Sequence, residues 1–441
     1  MKPNCLFVIA ALLAVVSVTP ALAQSGGPRP PTGGLFGATR SDVGSRNKLN
    51  FTFNVAEGFD SELPPDVSSR LGRGLESGGF STILQGASDY ARRGRRLQLQ
   101  ASASTAFKYF ANADRLEALG HNAALSGTFR IPRGNVRIEQ GAAYSPSFLY
   151  QLFPVDTPDI EGSIPTNPDY QIAETESYSY QTLAALDLGS ARGTLFTATG
   201  SFNRTDFPQQ ASNELETVQA GAIASRRLSP SLMFESGYDW GRGDYGSGVR
   251  AETHQVPIGI EYSLALSRTR RAAFRLAVTP TWLEGSPAIV DDAGAMLHPR
   301  VFYVGGEASV TVPFRPNCAA TARYRRSIQH LAIADEPLFS DAAYVELTGL
   351  LSRRVDFVVS GGFGQAAAAT GPALAQRLNT YTGHAAVRYA VTRSLALSTE
   401  YLYYYYNDKG QQVEILPGLP ELFEQHGVRV GVVLFLEALG R

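Results

Sequence analysis

The last sixty or so residues, Thr380 to Arg441, read as three strands in succession, and each alternates. In the first, Tyr381, Gly383, Ala385, Val387 and Tyr389 share one face, with Thr382, His384 and Arg388 opposite. In the second, Leu395, Leu397, Thr399, Tyr401, Tyr403 and Tyr405 oppose Ser398 and Glu400. In the third, Val428, Val430, Val432, Leu434 and Leu436 oppose Gly427, Arg429 and Gly431. Side chains on a strand alternate with period two, so each segment has an apolar face and a polar face with a charge near its middle. A soluble sandwich turns the apolar face inward and scatters charge outside. A membrane barrel puts the apolar face on lipid and lets polar groups line a wet interior. The second arrangement fits a charge in mid-strand, so we expect an all-β transmembrane antiparallel barrel.

The connections between strands alternate in length. Short turns fall at Arg92–Arg95, Pro132–Asn135, Ser190–Gly193, Leu228–Ser231, Ser267–Arg270, Phe314–Asn317, Ser352–Val355 and Val391–Ser394. Long polar connections lie between them, among them Phe59–Gly78, Tyr150–Glu174, Asp239–Thr253, Leu283–Leu297 and Asn407–Glu424. Nine long connections and eight short turns join about eighteen strands, with both chain ends on the short-turn side. That is the pattern of bacterial outer-membrane barrels, short turns periplasmic and long loops extracellular. Pro257 interrupts an otherwise regular strand and predicts a bulge or strand end near the loop side. The stretch Thr217–Ser225 alternates weakly and leaves register least specified.

The chain starts with Lys2, an apolar run from Leu6 to Val18 and the small-residue site Ala21-Leu22-Ala23. That order predicts a secretory signal over residues 1–23; the apolar run is too short for a spanning helix. Cys5 lies too early for a lipidated cysteine after cleavage. Residues 24–47 form a Gly/Pro-rich periplasmic linker, too short for the plug domain of an energised transporter, and residues 48–441 form the barrel. Basic and acidic residues number 39 and 40, which excludes a general basic face for nucleic acid. Past the signal only Cys318 remains, so disulfides do not hold the fold.

The inward face collects charges of both signs: Lys108, Arg137, Glu139, Glu235, Glu261, Arg275, Glu307, Arg323, Arg325, Glu346, Arg388, Glu400 and Arg429. Two readings stand side by side. The charges line a hydrophilic pore in which arginines attract anionic solutes, or they pair across strands and fill the interior. Glu261 with Arg275 and Arg388 with Glu400 are the expected pairs. Aromatic residues near strand ends predict an interfacial girdle. Tyr404 and Tyr406 are out of phase with it and should point inward, where aromatic faces could stack on sugar rings.

Catalysis finds little support. The six histidines have no metal-ligand spacing, and no G-x-S-x-G stretch occurs. A hydrolase assembling a triad from distant strands stays open as an alternative. No cofactor is expected.

Two stretches carry a resemblance. NFTFNVAEGFDSELPP, Asn50 to Pro65, is similar to the opening strand of the outer-membrane β-barrel porins of type 2, and HGVRVGVVLFLEALGR, His426 to Arg441, resembles their closing strand. The resemblance implies an outer-membrane barrel of the kind that accompanies exopolysaccharide or capsule systems; it carries over no binding or catalytic residue. The ending Leu-Gly-Arg departs from the aromatic terminus usual in such barrels. The expected partners are outer-membrane lipid and lipopolysaccharide, the barrel-assembly machinery and, where the resemblance extends to function, polysaccharide. The expected function is passive passage of hydrophilic solutes. The alternative is a non-conducting structural or adhesion barrel that acts through its loops.

Overall fold

A strand in hydrocarbon must pair both of its edges, because no water is there to satisfy a free N–H or C=O. In the computed structural model each strand does so. It describes residues 47–61, 79–110, 116–145, 176–189, 193–208, 214–268, 270–285, 289–290, 296–297, 300–315, 317–330, 336–369, 378–407 and 422–440. The signal, most of the linker and the loops Tyr150–Glu174 and Asn407–Glu424 fall largely outside the described residues.

The strands are β1 Asn47–Asp60, β2 Gly79–Arg93, β3 Leu97–Phe110, β4 Leu116–Ile131, β5 Gly134–Ser145, β6 Ser177–Gly189, β7 Thr194–Asp206, β8 Leu215–Ser229 and β9 Leu232–Tyr245. They continue as β10, in two halves Arg250–Gln255 and Ile258–Ala265, then β11 Arg271–Gly285, β12 Arg300–Arg315, β13 Cys318–Gln329, β14 Leu338–Ser352, β15 Val355–Ala368, β16 Leu378–Ala390, β17 Leu395–Asn407 and β18 Leu422–Gly440. Each pairs antiparallel with its neighbour in sequence, and β1 pairs with β18 from Asp60↔Gly427 to Lys48↔Gly440, which closes the barrel at eighteen strands. Closure removes the two free edges that an open sheet of this length would present.

Pro257 acts in a different place from the one expected. It sits mid-strand, and both halves of β10 pair with β9 and β11 without a register change. The ladder is kept around it because Gly237 N–H donates to the Pro257 carbonyl and Val256 N–H to the Pro280 carbonyl. Three register irregularities fall instead next to short turns, between Arg227 and Ser229, Pro313 and Arg315, and Leu350 and Ser352, and a fourth between Leu49 and Asn50 where β1 meets β18. The weakly alternating Thr217–Ser225 lies in regular register with both neighbours. Strands also run further into the loop side than expected. The connection read as Asp239–Thr253 shrinks to residues 246–249 between β9 and β10, and Leu283–Leu297 contains a short hairpin, Ile289–Val290 with Met296–Leu297.

The outer face is apolar and exposed: Leu125, Ile138, Ile258, Leu276, Val278, Val304, Val387 and Val430 all lie open. Aromatic rings bound this band at both edges. The loop-side edge carries Phe59 on Phe80, His121 near Tyr144, Tyr144 on Tyr178, and Trp282 on Phe302. The turn-side edge carries Phe129, Phe196, Phe234, Phe314 and Tyr389, exposed, and Tyr262 against Phe274. On three strands the two edges are eight residues apart: His121 to Phe129, Phe274 to Trp282, Tyr381 to Tyr389. Eight residues span about 26 Å along a strand, and a tilt of about 40° projects that to roughly 20 Å, close to the apolar band of a membrane barrel.

Candidate functional site in the barrel interior

The opposite side chains face inward, and register decides which charges meet. Asp356 on β15 stands opposite Arg388 on β16. Arg388 Nε and Nη2 donate to the two carboxylate oxygens at 3.0 and 2.6 Å, and both side chains are almost fully enclosed. The expected partner, Glu400, is taken elsewhere. It lies opposite Arg429 on β18 and accepts a 2.6 Å hydrogen bond from His384 Nε2, while Arg429 Nη1 stands 3.7 Å away. Arg388 lies opposite Ser398 on that side, two residues along from Glu400, and the carboxylate directly opposite on β15 takes it.

Arg275 departs from its expected partner for a steric reason. Glu261 is opposite it in register. The guanidinium reaches instead over β10 to Glu235 on β9, with Nε and Nη2 at 3.0 and 2.6 Å, and lies 3.4 Å from Glu307 on β12. Gly259 lies between the two strands; a Cβ there would come within 2.8 Å of Glu235 Oε1. The missing side chain leaves the space in which the carboxylate and the guanidinium meet.

The remaining candidates are placed as follows. Lys108 Nζ holds Asp60 Oδ2 at 2.7 Å, with both side chains under 5 % exposed. Arg137 lies 3.4 Å from Glu139 on its own strand, part-exposed. Glu346 accepts a hydrogen bond from the Tyr344 hydroxyl at 2.9 Å. Arg325 stands opposite Glu307, and Arg323 opposite Ser309 and Tyr344. Tyr404 and Tyr406 face inward and are almost wholly buried.

Burial divides the interior. Around β1, β3 and β15 to β18 several inward groups are enclosed, among them Lys108, Asp60, Asp356, Arg388, Arg429, Tyr404 and Tyr406, while His384 and Glu400 are part-exposed. Between β5 and β13 a cavity of about 340 Å³ remains, lined among others by Arg137, Glu235, Asp239, Arg275, Glu307 and Arg325. Its walls include Gly241, Gly305 and Gly306, where no side chain projects. Among the described residues no group of three or more His, Cys, Asp or Glu is placed to hold a metal ion.

Sequence reasoning missed a contact over the cavity's loop-side end. His330, just past β13, reaches the Tyr245 hydroxyl on β9 at 3.1 Å through Nδ1. The ring lies on Gly243, where a Cβ would come within 2.5 Å of Nδ1. Burial penalises the charged imidazole and pulls its pKa from the ordinary 6.5 to about 4. The sign follows from that direction. Above pH 6.5 the ring is neutral whether the contact is made or not, so the contact is at full strength. As pH falls from about 6.5 towards 4, the released ring takes a proton that the seated ring resists, and the contact weakens. We therefore expect the heat stability of the wild-type barrel to fall between pH 7 and 4 by more than that of His330→Gln, in matched detergent. Equal falls would show that the contact carries no such linkage.

Neither a protein-family model nor a curated protein sequence matches the chain. Solved structures do match. Pseudomonas aeruginosa OpdO aligns at 12 % identity and a TM-score of 0.44, over 89 % of this chain and 98 % of that one. Acinetobacter baumannii OccAB1 aligns at 11 % and 0.44, over 89 % and 97 %. The ferric-catecholate import receptor Fiu of E. coli K12, in its open form, aligns at 9 % and 0.42, over 89 % and 82 %. At this distance the likeness carries no argument about activity, and the chain's own closed strand ladder establishes the barrel.

Proposed function

We propose that this chain is a porin-like barrel of the bacterial outer membrane that gives hydrophilic solutes passive passage. The observation that supports it most is the cavity between β5 and β13, polar and charged, inside a closed barrel whose outer face is apolar. An eighteen-stranded barrel has the circumference for an aqueous channel. No step of the reading requires turnover chemistry: a solute enters, meets weak polar contacts at several points and leaves. In this reading the short turns are periplasmic, the long loops extracellular, and the assembly machinery and lipopolysaccharide are partners in biogenesis and at the outer rim. A role in exopolysaccharide export rests only on the resemblance of the two chain ends to type 2 porins.

The test is single-channel recording of the refolded chain in a planar bilayer, with a salt gradient and with an added anionic oligosaccharide. Steady openings support the reading. In Glu235→Gln/Glu307→Gln, Arg275 loses both carboxylates, and the anion-to-cation permeability ratio should rise several-fold. Silence from folded, heat-modifiable protein would overturn the reading.

A closed, loop-acting barrel is the second reading. It is favoured by the enclosed ion pairs on one half and by His330 seated on Tyr245 over the cavity.

A further inference from the structure

Exposed arginine gathers at one rim of the barrel. Seven of the eight short turns carry arginine in the sequence, and Arg226 and Arg227 directly precede the eighth; the runs include RRGRR at 92–96, RTRR at 268–271 and RR at 353–354. The described members of these runs are exposed apart from Arg270. Carboxylates at this end are few. Asp187 and Asp356 face inward and accept hydrogen bonds from Thr197 and Arg388. Asp89 and Glu437 lie opposite Asn50, three residues up β1 from the rim. The loop-side end is different, because among the described residues its arginines sit with carboxylates: Arg204 with Asp206 and Glu214, Arg242 and Arg250 with Asp244, Arg300 with Glu284.

We propose that the short-turn rim is a belt that binds anionic phospholipid headgroups. Depth is the first argument. Arg130 follows Phe129, Arg315 follows Phe314, and Arg226 stands opposite Phe234, so the cations begin where the turn-side aromatic edge ends. That is the level of lipid phosphates. Side-chain type is the second. These positions are arginine rather than lysine, and a planar guanidinium binds phosphate oxygens two at a time. Distribution is the third. The arginines run around the whole circumference, and Arg92 and Arg226 share the outward face of their strands with the apolar band. A soluble anionic polymer drawn into the barrel would be served by charge gathered at the mouth, whereas a lipid annulus meets the outside everywhere. The belt does not depend on whether the barrel conducts.

The experiment measures lipid selectivity by electron spin resonance, with spin-labelled phosphatidylglycerol and phosphatidylcholine in nanodiscs that hold the full barrel. One basic contact at an anionic surface multiplies retention about fivefold. The wild type should therefore hold phosphatidylglycerol several-fold over phosphatidylcholine, and high salt should weaken the preference. Arg95→Gln/Arg96→Gln/Arg353→Gln/Arg354→Gln should bring the ratio close to one, while Arg300→Gln at the other end leaves it unchanged. Heat-modifiability reports folding, and Arg353→Gln/Arg354→Gln alone gives the reading if the fourfold variant does not fold. A wild type without preference, or a preference that the turn variants do not move, overturns the proposal. So does tight binding of dextran sulfate through these arginines with no lipid selectivity, which would assign the rim to a polymer.

Discussion

Replacing Asp356 by alanine should lower the unfolding free energy of the barrel by about 3–5 kcal/mol, the usual effect of removing one partner from a buried ion pair. Asp356 is 1 % exposed, and Arg388 donates to it through two nitrogens. Without the carboxylate, a guanidinium stays enclosed after losing its bidentate acceptor. The loss comes from stranding that charge, since two charges are expensive to bring out of water and a pair can roughly break even against apolar residues of similar size. The double variant Asp356→Leu/Arg388→Met should therefore recover most of the stability. Urea titration in lipid vesicles, followed by tryptophan fluorescence, measures both. A single variant less than about 1 kcal/mol below wild type would mean that water reaches the pair. A double variant no better than the single would point to a role for Arg388 beyond its carboxylate.

The barrel was legible because one periodicity repeats around it. Alternation named the outer face of nearly every strand, and a single charge among small residues, as in Arg429 between Gly427 and Gly431, named the inner one. Spacing of the short turns gave eighteen strands, which the ladder repeats. The ion pairs were less legible, for two physical reasons. Pairing depends on register, and a shift of two residues keeps every side chain on its face while changing its partner. Arg388 and Glu400 show this: both face inward on adjacent strands, and each bonds to another group. The second reason is reach. A long side chain can pass over a glycine to the second strand along, as Arg275 does over Gly259, and adjacency alone does not encode that contact. Asp60 and Asp356 were missed because they lie at strand ends, where an aspartate reads as a loop residue. His330 was missed because its partner is 85 positions away, on a strand that is not its neighbour.

The assignment of outside to lipid makes a sharper demand than any interior contact. Val278 lies midway between Phe274 and Trp282 on β11, and its exposed neighbours Ile258, Leu276 and Val304 are apolar. On a water-facing sheet, arginine at such a position would change stability by no more than about 0.5 kcal/mol. In a bilayer the same side chain sits near the midplane, where it costs about 2–4 kcal/mol. Val278→Arg should thus destabilise the barrel in vesicles by that amount. Thr279→Arg, one residue along and lining the cavity, should avoid the lipid penalty and act instead on ion selectivity. The pair of variants separates the two faces with the same charge at nearly the same depth. Equal and small effects would place water on both sides of β11, and the membrane reading would fall with them. Large effects from both variants would mean that lipid covers the outer face and the cavity is too tightly packed to take a guanidinium, and the closed-barrel reading would then gain over the porin.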